Sequence, residues 1–408
     1  MNILVWLGNK KMHPAIYPNM QSIAQALAEL GHDVVTCNTA NEEEIMAALS
    51  LLREEKIIDL SIGSNAMVMQ MNFADNQMLD VYADLDVTHI SILLDEPFNS
   101  YCNGYDKPAK NHIITYLDGT DREYFFKMNL ASDKYKLFMP LGGTESKLSI
   151  EELLEKKRKS SYEVVFSAGS FGDCSRGPLW EKFGPLPGKY MLNILMDMLS
   201  LLRSKPVSVV TAAKAVLKSK GMEEIYYFQA LAMFFPAILD YIKAWRRKKL
   251  VVELLNAGIA LDVFGAGWDK MDLPQGAKLH GAIAYEDMLK VMSKAKIVVN
   301  DEACFNEGAH DRVFTAMLNG AVVVSEYSSY LAEEFVADQD LVMFDWQNIG
   351  EQLLIIPKLL SDDDYRERIA RNAYNKVINR HTWRNRAERL LEAAEIMKFN
   401  HTLRAGKI

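Results

Sequence analysis

The sequence of 408 residues contains few cysteines and no Cys-x-x-Cys pair. The four cysteines lie far apart in the chain, at Cys37, Cys102, Cys174 and Cys304. This spacing argues against both a zinc knuckle and a disulfide framework, and free thiols are typical of a reducing compartment. The first residues, Met1–Gly8, lack the basic start and the cleavage site of a signal peptide. We therefore expect a cytoplasmic protein.

A long hydrophobic run and an excess of basic residues are also absent. The most apolar segment, 228–242, contains Pro236 and Asp240 and is too short to span a bilayer. Lys and Arg number 46 against 54 Asp and Glu, for a formal net charge of -8, so nucleic-acid binding is not expected. The segment Trp245–Lys249 follows an apolar helix, and peripheral contact with anionic lipid stays an alternative there. A solvated helix face is the simpler interpretation.

The chain contains two successive alternations of strands and helices. In the first, strands are predicted at 3–7, 33–36, 59–63, 90–94, 113–117 and 137–140, with helices at 19–30 and 42–54. A charged stretch at 151–159 follows. The second alternation has strands at 163–168, 260–264, 297–300, 321–325 and 341–344, with helices at 285–293 and 310–319. Such alternation predicts parallel sheets with helices on both faces.

These patterns predict an α/β protein with two Rossmann-like domains, an interdomain cleft and a long C-terminal helical region. We assign residues 1–160 to the first domain and expect the C-terminal helix 385–408 to join it. Residues 161–384 form the second domain, which includes a mostly helical segment at 178–257. No G-x-G-x-x-G motif follows the first strand, which disfavours a dinucleotide-dependent oxidoreductase.

The segment Glu307–Met317 carries the strongest functional signal. It follows the predicted strand that ends at Asn300, and its polar residues gather where a helix begins. A helix start offers free N–H groups and a partial positive charge to a phosphate, and Arg312 adds a cation with several donors. An acid, a histidine and an arginine on such a loop indicate a site for a diphosphate and a sugar. The plain alternative is a capped surface helix with Asp311 as a first-turn charge.

Three glycine-containing or small-residue turns add weaker signals. Gly265 and Gly267 follow a predicted strand and permit close approach of the backbone to a ligand. The turn containing Ala282 offers backbone groups to a base, and Gly8 ends the first strand. An ordinary tight turn explains each of them equally well.

Together, in this order and spacing, the segments resemble the C-terminal domain of the retaining group 1 glycosyltransferases of the GT-B fold. They are most similar to the bacterial branch of spore-maturation CgeB-like glycosyltransferases. The C-terminal motifs that carry the resemblance are Phe264-Gly265-Ala266-Gly267-Trp268, His280-Gly281, the run Glu307–Gly320, Tyr330-Leu331 and His381-Thr382-Trp383. The N-terminal ones are Leu30-Gly31-His32-Asp33-Val34, Leu94-Asp95-Glu96-Pro97 and Phe138-Met139-Pro140-Leu141.

The resemblance implies that the second domain binds a nucleotide-sugar and that no metal or other cofactor is required. The family carries a Glu-x7-Glu motif whose first residue matches Glu307, whereas Thr315 stands where the second glutamate would hold the donor ribose. The residue that holds the ribose, and the nucleotide itself, therefore stay open. The Arg/Lys pair that grips the diphosphate is not clearly matched. Arg176, downstream of Ser170, and Arg312 are the candidates.

Glycosyl transfer places negative charge on the leaving diphosphate, so without a metal the protein must supply cations and N–H donors there. We predict that Arg312 and His310 do so and that Glu307 holds a hydroxyl group. A retaining reaction, as the resemblance implies, uses the leaving phosphate to help deprotonate the acceptor. An inverting one needs a base, for which Asp95, Glu96 and His13 are candidates on the first domain.

The predicted activity is transfer of a sugar from a nucleotide-sugar to a protein, an envelope glycan or a small molecule. The predicted catalytic residues are Glu307, His310, Asp95 and His13. The predicted donor-binding residues are Arg312, Asp311, Asn300, Gly308, Thr315, Gly265, Gly267, Trp268, Ala282, Ser170, Arg176 and Gly8. A catalytically inactive GT-B-like scaffold and a nucleotide-sugar epimerase are the alternatives. Arg312→Ala is expected to weaken donor binding severely and to leave the fold intact.

Overall fold

The computed structural model describes residues 1–12, 16–54, 57–72, 77–99, 104–172, 174, 179, 181–183, 187–302 and 305–404. The chain forms two compact units. Unit 1 comprises Met1–Gly142 and Thr382–Ile408, and unit 2 comprises Gly143–His381. The first boundary therefore lies about twenty residues before the position near 160 that the sequence suggested.

The described strands are β1 (Asn2–Gly8), β2 (Asp33–Asn38), β3 (Leu60–Ser64), β4 (Gln70–Asn72), β5 (Met78–Asp80), β6 (Thr88–Ile92), β7 (His112–Tyr116), β8 (Tyr135–Phe138), β9 (Val164–Ser167), β10 (Leu261–Phe264), β11 (Ala277–Gly281), β12 (Ile297–Asn300), β13 (Val322–Glu326) and β14 (Val342–Phe344). The described helices are α1 (Ile16–Glu29), α2 (Glu42–Arg53), α3 (Gly119–Lys127), α4 (Ile150–Arg158), α5 (Lys189–Ser204), α6 (Val209–Ser219), α7 (Glu224–Ala232), α8 (Phe235–Asn256), α9 (Tyr285–Met292), α10 (Asp311–Leu318), α11 (Ser329–Glu334), α12 (Ile349–Gln352), α13 (Ile355–Ser361), α14 (Asp363–Arg380) and α15 (Trp383–Arg404).

Unit 1 is built on a parallel sheet in the order β2-β1-β3-β6-β7-β8. The interior strand β1 is buried from Ile3 to Gly8 and exposed at its first residue, Asn2, as expected when helices cover both faces of a sheet. Helix α1 buries Met20, Ile23 and Leu27, and α15 packs against α1. Strands β4 and β5 form a separate antiparallel pair.

Unit 2 is built on a second parallel sheet, in the order β11-β10-β9-β12-β13-β14. The chain moves outward in one direction from β9 to β11 and in the other from β12 to β14. Alternate strand residues face opposite cores: Val164 and Phe166 pack with α8, whereas Val165 packs with α9 and α10. The strand order reverses between β9 and β12, which is where ligands bind in open α/β sheets.

Helix α4 explains why the domain boundary differs from the prediction. The sequence suggested a solvated helix before the boundary, yet Leu154 lies in the core of unit 2. Lys157 is buried and its Nζ donates to the carbonyl oxygens of Met292 and Ala295, at 2.8 and 2.7 Å. This burial holds the pKa of Lys157 well below its ordinary value. The charged stretch is therefore an integral helix of unit 2 and not a linker.

The helical segment before β10 contains α5 to α8. Among the described residues no single helix has the length and hydropathy of a membrane span; α7 and α8 reach them only as a pair, which is bent by 65°. In α8, Arg246 is fully buried and Arg247 is nearly so. The interpretation of Trp245–Lys249 as a solvated face or a lipid contact is therefore wrong for both arginines, because each is held inside unit 2 by a carboxylate.

Candidate functional site

Polar side chains concentrate at the carboxyl ends of the central strands of unit 2. Asn300 ends β12, Asp301 and Glu302 follow it directly, and Glu326 ends β13; all four are buried. Buried carboxylates are costly unless cations or hydrogen-bond donors compensate them. We call this group, together with the side chains that compensate it, the carboxyl-edge network.

The first compensating cation is Arg246, on α8. Its Nη1 donates to Glu326 Oε1 at 2.6 Å, and both side chains are fully buried. Trp346 Nε1 donates to the same oxygen at 2.5 Å, and Arg246 Nη2 also donates to the carbonyl oxygen of Leu202 at 2.6 Å. Burial raises the pKa of Glu326, and Arg246 opposes the shift. This part of the network holds α8, β13 and the end of α5 together.

The second cation is Arg247, which joins two neighbouring strand ends. Its Nε donates to Asp301, at 3.0 and 3.2 Å to the two carboxylate oxygens, and its Nη1 donates to the carbonyl oxygen of Gly169 at 2.9 Å. Burial alone would raise the pKa of Asp301, but Arg247 and Arg312 outweigh it and hold that pKa below its usual value. Asp301 is therefore a buried, ionised carboxylate between two arginines.

Arg312 lies in the first turn of α10 and is part of the same network. Its Nη1 donates to Asn300 Oδ1 at 2.7 Å and lies 3.7 Å from Asp301 Oδ1. Asn300 in turn donates to Glu302 and Ser325. Arg312 and Asn300, both predicted to contact the donor, therefore contact buried protein groups instead. Arg312→Ala removes one of two cations beside Asp301, so we now expect this change to destabilise unit 2 as well.

His310 precedes α10 as its N-cap residue. Its Nδ1 lies 2.6 Å from Asp311 Oδ1, and its Nε2 lies 3.3 Å from Arg312 Nη2. Nδ1 also lies 3.2 Å from the backbone N of Arg312, so the tautomer of the ring decides whether Nδ1 accepts from that N–H as the helix cap or donates to Asp311. Burial and then the charge of Arg312 lower the pKa of His310, so the ring is neutral at pH 7. The structure thus brings His310, Asp311 and Arg312 together, as the sequence predicted.

Glu302 was not recognised in the sequence. Its carboxylate accepts from the backbone N–H of His310 at 3.0 Å and from Asn300 Nδ2 at 2.9 Å. Burial raises the pKa of Glu302 well above its ordinary value; the His310 N–H opposes this shift and Glu326 adds to it. A signal was present, since two consecutive acids directly after a buried apolar strand are unusual.

The predicted Glu307 and Gly308 lie on the loop before α10. Glu307 is exposed, whereas Gly308 is buried and its carbonyl oxygen accepts from Ser328 Oγ. Glu307 is thus accessible to a ligand at the helix start, and Gly308 holds the loop to the helix that follows β13.

Thr315, at the position of the second motif glutamate, is buried in contact with the first residues of unit 2. Its Oγ1 accepts from the backbone N–H of Thr144 at 3.1 Å. Thr144 Oγ1 is also 2.7 Å from the hydroxyl oxygen of Tyr285, whose pKa is raised by burial. The hydroxyl group of Thr315 therefore forms a hydrogen bond within unit 2. The sequence had placed Thr315 among the donor-binding residues.

A cavity of about 710 Å³ opens at the carboxyl ends of β9 and β10. Its walls come from the loop after β9, the turn after β10 and helix α8; they include Gly169, Ser170, Phe171, Gly172, Cys174, Lys248, Ala266, Gly267, Lys270, Met271 and Asp272. Among the described residues neither Lys248 nor Lys270 has an ion-pair partner. Of the predicted donor-binding residues, Ser170 and Gly267 line this cavity. We call it the lysine cavity.

Two glycines and a tryptophan bring the loops beside the lysine cavity together. A Cβ atom on Gly265 would lie 2.3 Å from the carbonyl oxygen of Ala168, and one on Gly267 would lie 2.5 Å from Ser170 Oγ. Both glycines also have positive φ. Trp268, predicted to contact the donor, is instead a core residue: it is fully buried and its Nε1 donates to Ala168 at 2.7 Å. The Gly-x-Gly sequence thus serves close packing of β10 against β9.

The remaining predicted residues are scattered or lie outside the described ranges. Ala282 is exposed just after β11. In unit 1, Gly8 ends β1 with a φ of 82°, and Asp95 is half-buried after β6. His13 and Arg176 lie outside the described residues. Within the described ranges no group of three or more His, Cys, Asp or Glu side chains is arranged to hold a metal ion.

Comparisons with known proteins agree with this architecture. Residues 246–392 match the sequence model of a family described as glycosyl transferase-like. Among solved structures, an alpha-glucosyltransferase in complex with UDP and a 13-mer DNA containing a HMU base is similar at a TM-score of 0.54 and 11% identity, over 97% of this chain and 99% of that one. The Anabaena protein Alr3699/HepE in complex with UDP-glucose is similar at 0.50 and 13%, over 98% and 99%. No curated protein sequence matches the chain.

At these identities the likeness to solved structures concerns the fold. It confirms the predicted α/β class with two parallel sheets of GT-B type. The family match covers the carboxyl-edge network from Arg246 onward and confirms the predicted enzyme class at the level of a glycosyl transferase-like protein.

Proposed function

We propose that the chain transfers a sugar from a nucleotide-sugar, bound by unit 2, to an acceptor. The observation that carries the proposal is the lysine cavity, which lies at the carboxyl edge of β9 beside the reversal of strand order. Its size suits a nucleotide, since ligand sites commonly measure about 300–1,000 Å³. Lys248 and Lys270 supply two cations to its wall, neither in an ion pair with a described residue, and Asp272 supplies one carboxylate.

The charges of the site fit a leaving diphosphate. When the bond between the anomeric carbon and the phosphate oxygen breaks, negative charge accumulates on the diphosphate, and preorganised cations stabilise it. Arg247 and Arg312 are committed to Asp301, so we assign this role to Lys248 and Lys270 and give the arginines a positioning role. Arg247 fixes the loop after β9 through the carbonyl oxygen of Gly169.

We propose a retaining reaction without a metal ion, in keeping with the resemblance to the group 1 and CgeB-like enzymes. The acceptor oxygen forms the new bond to the anomeric carbon on the face that the diphosphate leaves. The leaving phosphate oxygen takes the proton of the acceptor hydroxyl. Glu307, exposed before α10, holds a hydroxyl group of the donor. Neutral His310 orients the helix start through Asp311.

We further propose uridine diphosphate as the nucleotide to test first, because two structural relatives are described in complex with UDP or UDP-glucose. The acceptor class stays open among proteins, envelope glycans and small molecules.

The test is calorimetric titration with UDP, GDP, ADP, CDP and dTDP, each in EDTA and again with Mg²⁺. We expect one nucleotide to bind in both buffers. The double variant Lys248→Gln/Lys270→Gln should lose at least about tenfold in affinity for it, since charge-assisted contacts to phosphate are strong. The matched control, Lys189→Gln/Lys218→Gln, removes two exposed lysines of unit 2 outside the cavity and should bind like the wild type. No binding of any nucleotide, or equal losses in both doubles, would overturn the proposal.

One observation favours a second function, that of a non-catalytic binding protein. Thr315 replaces the second motif glutamate and its hydroxyl is engaged by Thr144. Release of nucleoside diphosphate from a nucleotide-sugar distinguishes the two: an enzyme releases it faster with a competent acceptor, whereas a binding protein does not. Product analysis without acceptor would reveal an epimerase.

A further inference from the structure

Phe171 has an unusual backbone conformation beside the lysine cavity. Its φ is 60°, in the left-handed region, and Gly172 follows with a φ of 85°. The other described non-glycine residues with positive φ are Asn65, Asn129, Ala131 and Asp338. Asn and Asp tolerate this region because their short polar side chains bond locally, whereas a bulky aromatic residue is strained there. The conformation of Phe171 therefore costs folding free energy.

The side chain of Phe171 does not recover that cost by burial. It is 49% exposed and lines the lysine cavity. A buried aromatic ring would contribute to the core, but a half-exposed one leaves much apolar surface in water. Strain that the fold itself does not explain is characteristic of ligand-binding positions.

The ring is nevertheless held in a fixed place. The guanidinium of Arg247 lies 4.9 Å from the ring centroid and Lys243 Nζ lies 5.4 Å from it. Arg247 is itself fixed by Asp301 and by the carbonyl oxygen of Gly169. The carboxyl-edge network thus presents an aromatic ring at the wall of the lysine cavity through a cation–π contact.

We propose that Phe171 is the platform on which the base of the bound nucleotide stacks, and this rests on the proposed function. Lys248 and Lys270 suit the diphosphate, and the half-exposed ring on the same cavity suits a flat, uncharged π system. Every nucleobase has a π face, so stacking supplies affinity for the nucleoside part while the lysines bind the phosphates.

The test separates the base from the diphosphate. Phe171→Gly and Phe171→Leu are titrated with the nucleoside diphosphate that binds the wild type and, separately, with inorganic pyrophosphate. We expect about a tenfold loss for the nucleotide, because base–aromatic stacking commonly contributes that much. Pyrophosphate should bind unchanged, and Phe171→Tyr should bind the nucleotide like the wild type.

Urea unfolding supplies a second readout. Glycine adopts a φ of 60° without steric cost, so Phe171→Gly should unfold at a higher urea concentration than Phe171→Leu. The matched control Asp338→Gly replaces another residue with a φ of 60° in unit 2, away from the cavity, and should keep its nucleotide affinity.

The outcomes are distinguishable. If the wild type binds no nucleotide, the proposed function fails and the stacking proposal falls with it. If the wild type binds and the Phe171 variants bind equally well, only the stacking proposal is overturned. Equal losses for nucleotide and pyrophosphate would also overturn it, since Phe171 would then shape the lysine cavity and not contact the base. A selective loss of nucleotide binding supports it.

Discussion

The two units are built on parallel sheets of the same strand number, yet they bury polar groups in opposite ways. At the strand ends of unit 2, carboxylates are buried with arginines, as in Arg246 with Glu326 and Arg247 with Asp301. In unit 1, the buried polar groups of the sheet are uncharged. His89 is stacked on Tyr82 at 4.1 Å between ring centroids and lies 3.2 Å from Ser61 Oγ.

His89 and His112 stay neutral because both are buried away from water. Burial, and then the nearby His112, lower the pKa of His89 well below its ordinary value. Burial also lowers the pKa of His112, to about 3, and its Nε2 lies 2.9 Å from Ser91 Oγ. The hydroxyl oxygen of Tyr82, next to His89, accepts a hydrogen bond from Trp6 Nε1 at 2.8 Å.

The difference predicts different weaknesses. A buried ion pair fails when one partner is removed, since the other charge is then uncompensated. A buried neutral histidine fails when the pH falls, since the unfolded chain gains a proton that the folded one cannot. Unit 2 should therefore be sensitive to single substitutions, and unit 1 to acid.

The largest expected effect is that of Arg246→Met. The change leaves Glu326 fully buried with a hydrogen bond from Trp346 but no cation, and we expect a loss of about 3–5 kcal/mol in the free energy of unfolding of unit 2. Urea unfolding measures the loss. The double variant Arg246→Met/Glu326→Gln should be more stable than the single one. A loss below about 1 kcal/mol for Arg246→Met would contradict the view that this pair depends on both partners.

The second largest expected effect is the destabilisation of unit 1 by acid. Both histidine pKa values are lowered on folding, so their contribution is fully present above the unfolded value of 6.5 and declines as the pH falls below it. His112 contributes a loss of up to about 3 kcal/mol between pH 6.5 and pH 4.5, at about 1.4 kcal/mol per pH unit, and His89 adds to the loss in the same direction. Hydrogen exchange of β1 and β6, compared at pH 7.5 and pH 5, measures the decline.

The control for acid sensitivity is His112→Gln, which keeps a hydrogen-bonding group but cannot titrate. It should show a shallower decline than the wild type. Asp121 works in the opposite direction, because burial and then Asp118 raise its pKa well above the ordinary value. Because Asp121 is present in both proteins, its contribution cancels when the pH dependence of His112→Gln is subtracted from that of the wild type. An identical pH dependence in both proteins would show that the histidine does not limit unit 1.

In unit 2 the pKa shifts of the buried carboxyl groups have opposite directions, which distinguishes unit 2 from the histidines of the unit 1 sheet. Raised pKa values of Glu302 and Glu326 give stability that is lost as the pH rises above their unfolded values. The lowered pKa values of Asp301 and Asp311 give stability that is lost as the pH falls. A single slope with pH is therefore not expected for unit 2.

Removal of a helix cap should have the smallest effect on the free energy of unfolding, and the effect should be equal in the two units. Ser149 caps α4 in unit 2 and accepts from the N–H of Glu152, and Asn41 caps α2 in unit 1 and accepts from the N–H of Glu43 at 3.0 Å. Because a cap acts within one helical turn, Ser149→Ala and Asn41→Ala should each cost about 1 kcal/mol by urea unfolding. Ser149→Thr keeps the hydroxyl group and should cost less. A much larger loss in one unit would show that the cap there also serves tertiary packing.

Much of the local structure was predictable because it follows from local periodicity. The first strand was predicted at 3–7 and spans Asn2–Gly8, and the helix at 310–319 spans Asp311–Leu318. The short strand β11 was not among the predicted strands, since its mostly exposed residues lack a hydrophobic pattern. The boundary near 160 was wrong because a charged helix looks solvated until the carbonyl oxygens that receive Lys157 are known.

The candidate site was predictable only in part. His310, Asp311 and Arg312 are neighbours in sequence, so their meeting at a helix start followed from local structure. The structural role of Arg312 did not follow from local structure, because its partner Asp301 is not a neighbour in sequence. Trp268 was assigned to the donor since it adjoins Gly267, but its indole donates into the core. Lys248 lies in the basic segment Trp245–Lys249, which was interpreted as a solvated face, and Lys270 gave no sequence signal, since isolated lysines in turns are common.

The sequence by itself determined the alternation of strands and helices, the two sheets and the polar residues at the start of α10, because these depend on period and on near neighbours. Only the tertiary structure decided which charges meet. Arg246 finds Glu326 across 80 residues and Arg247 finds Asp301 across 54. Those pairings depend on the order in which the strands lie side by side, and strand order arises from the packing of the whole unit.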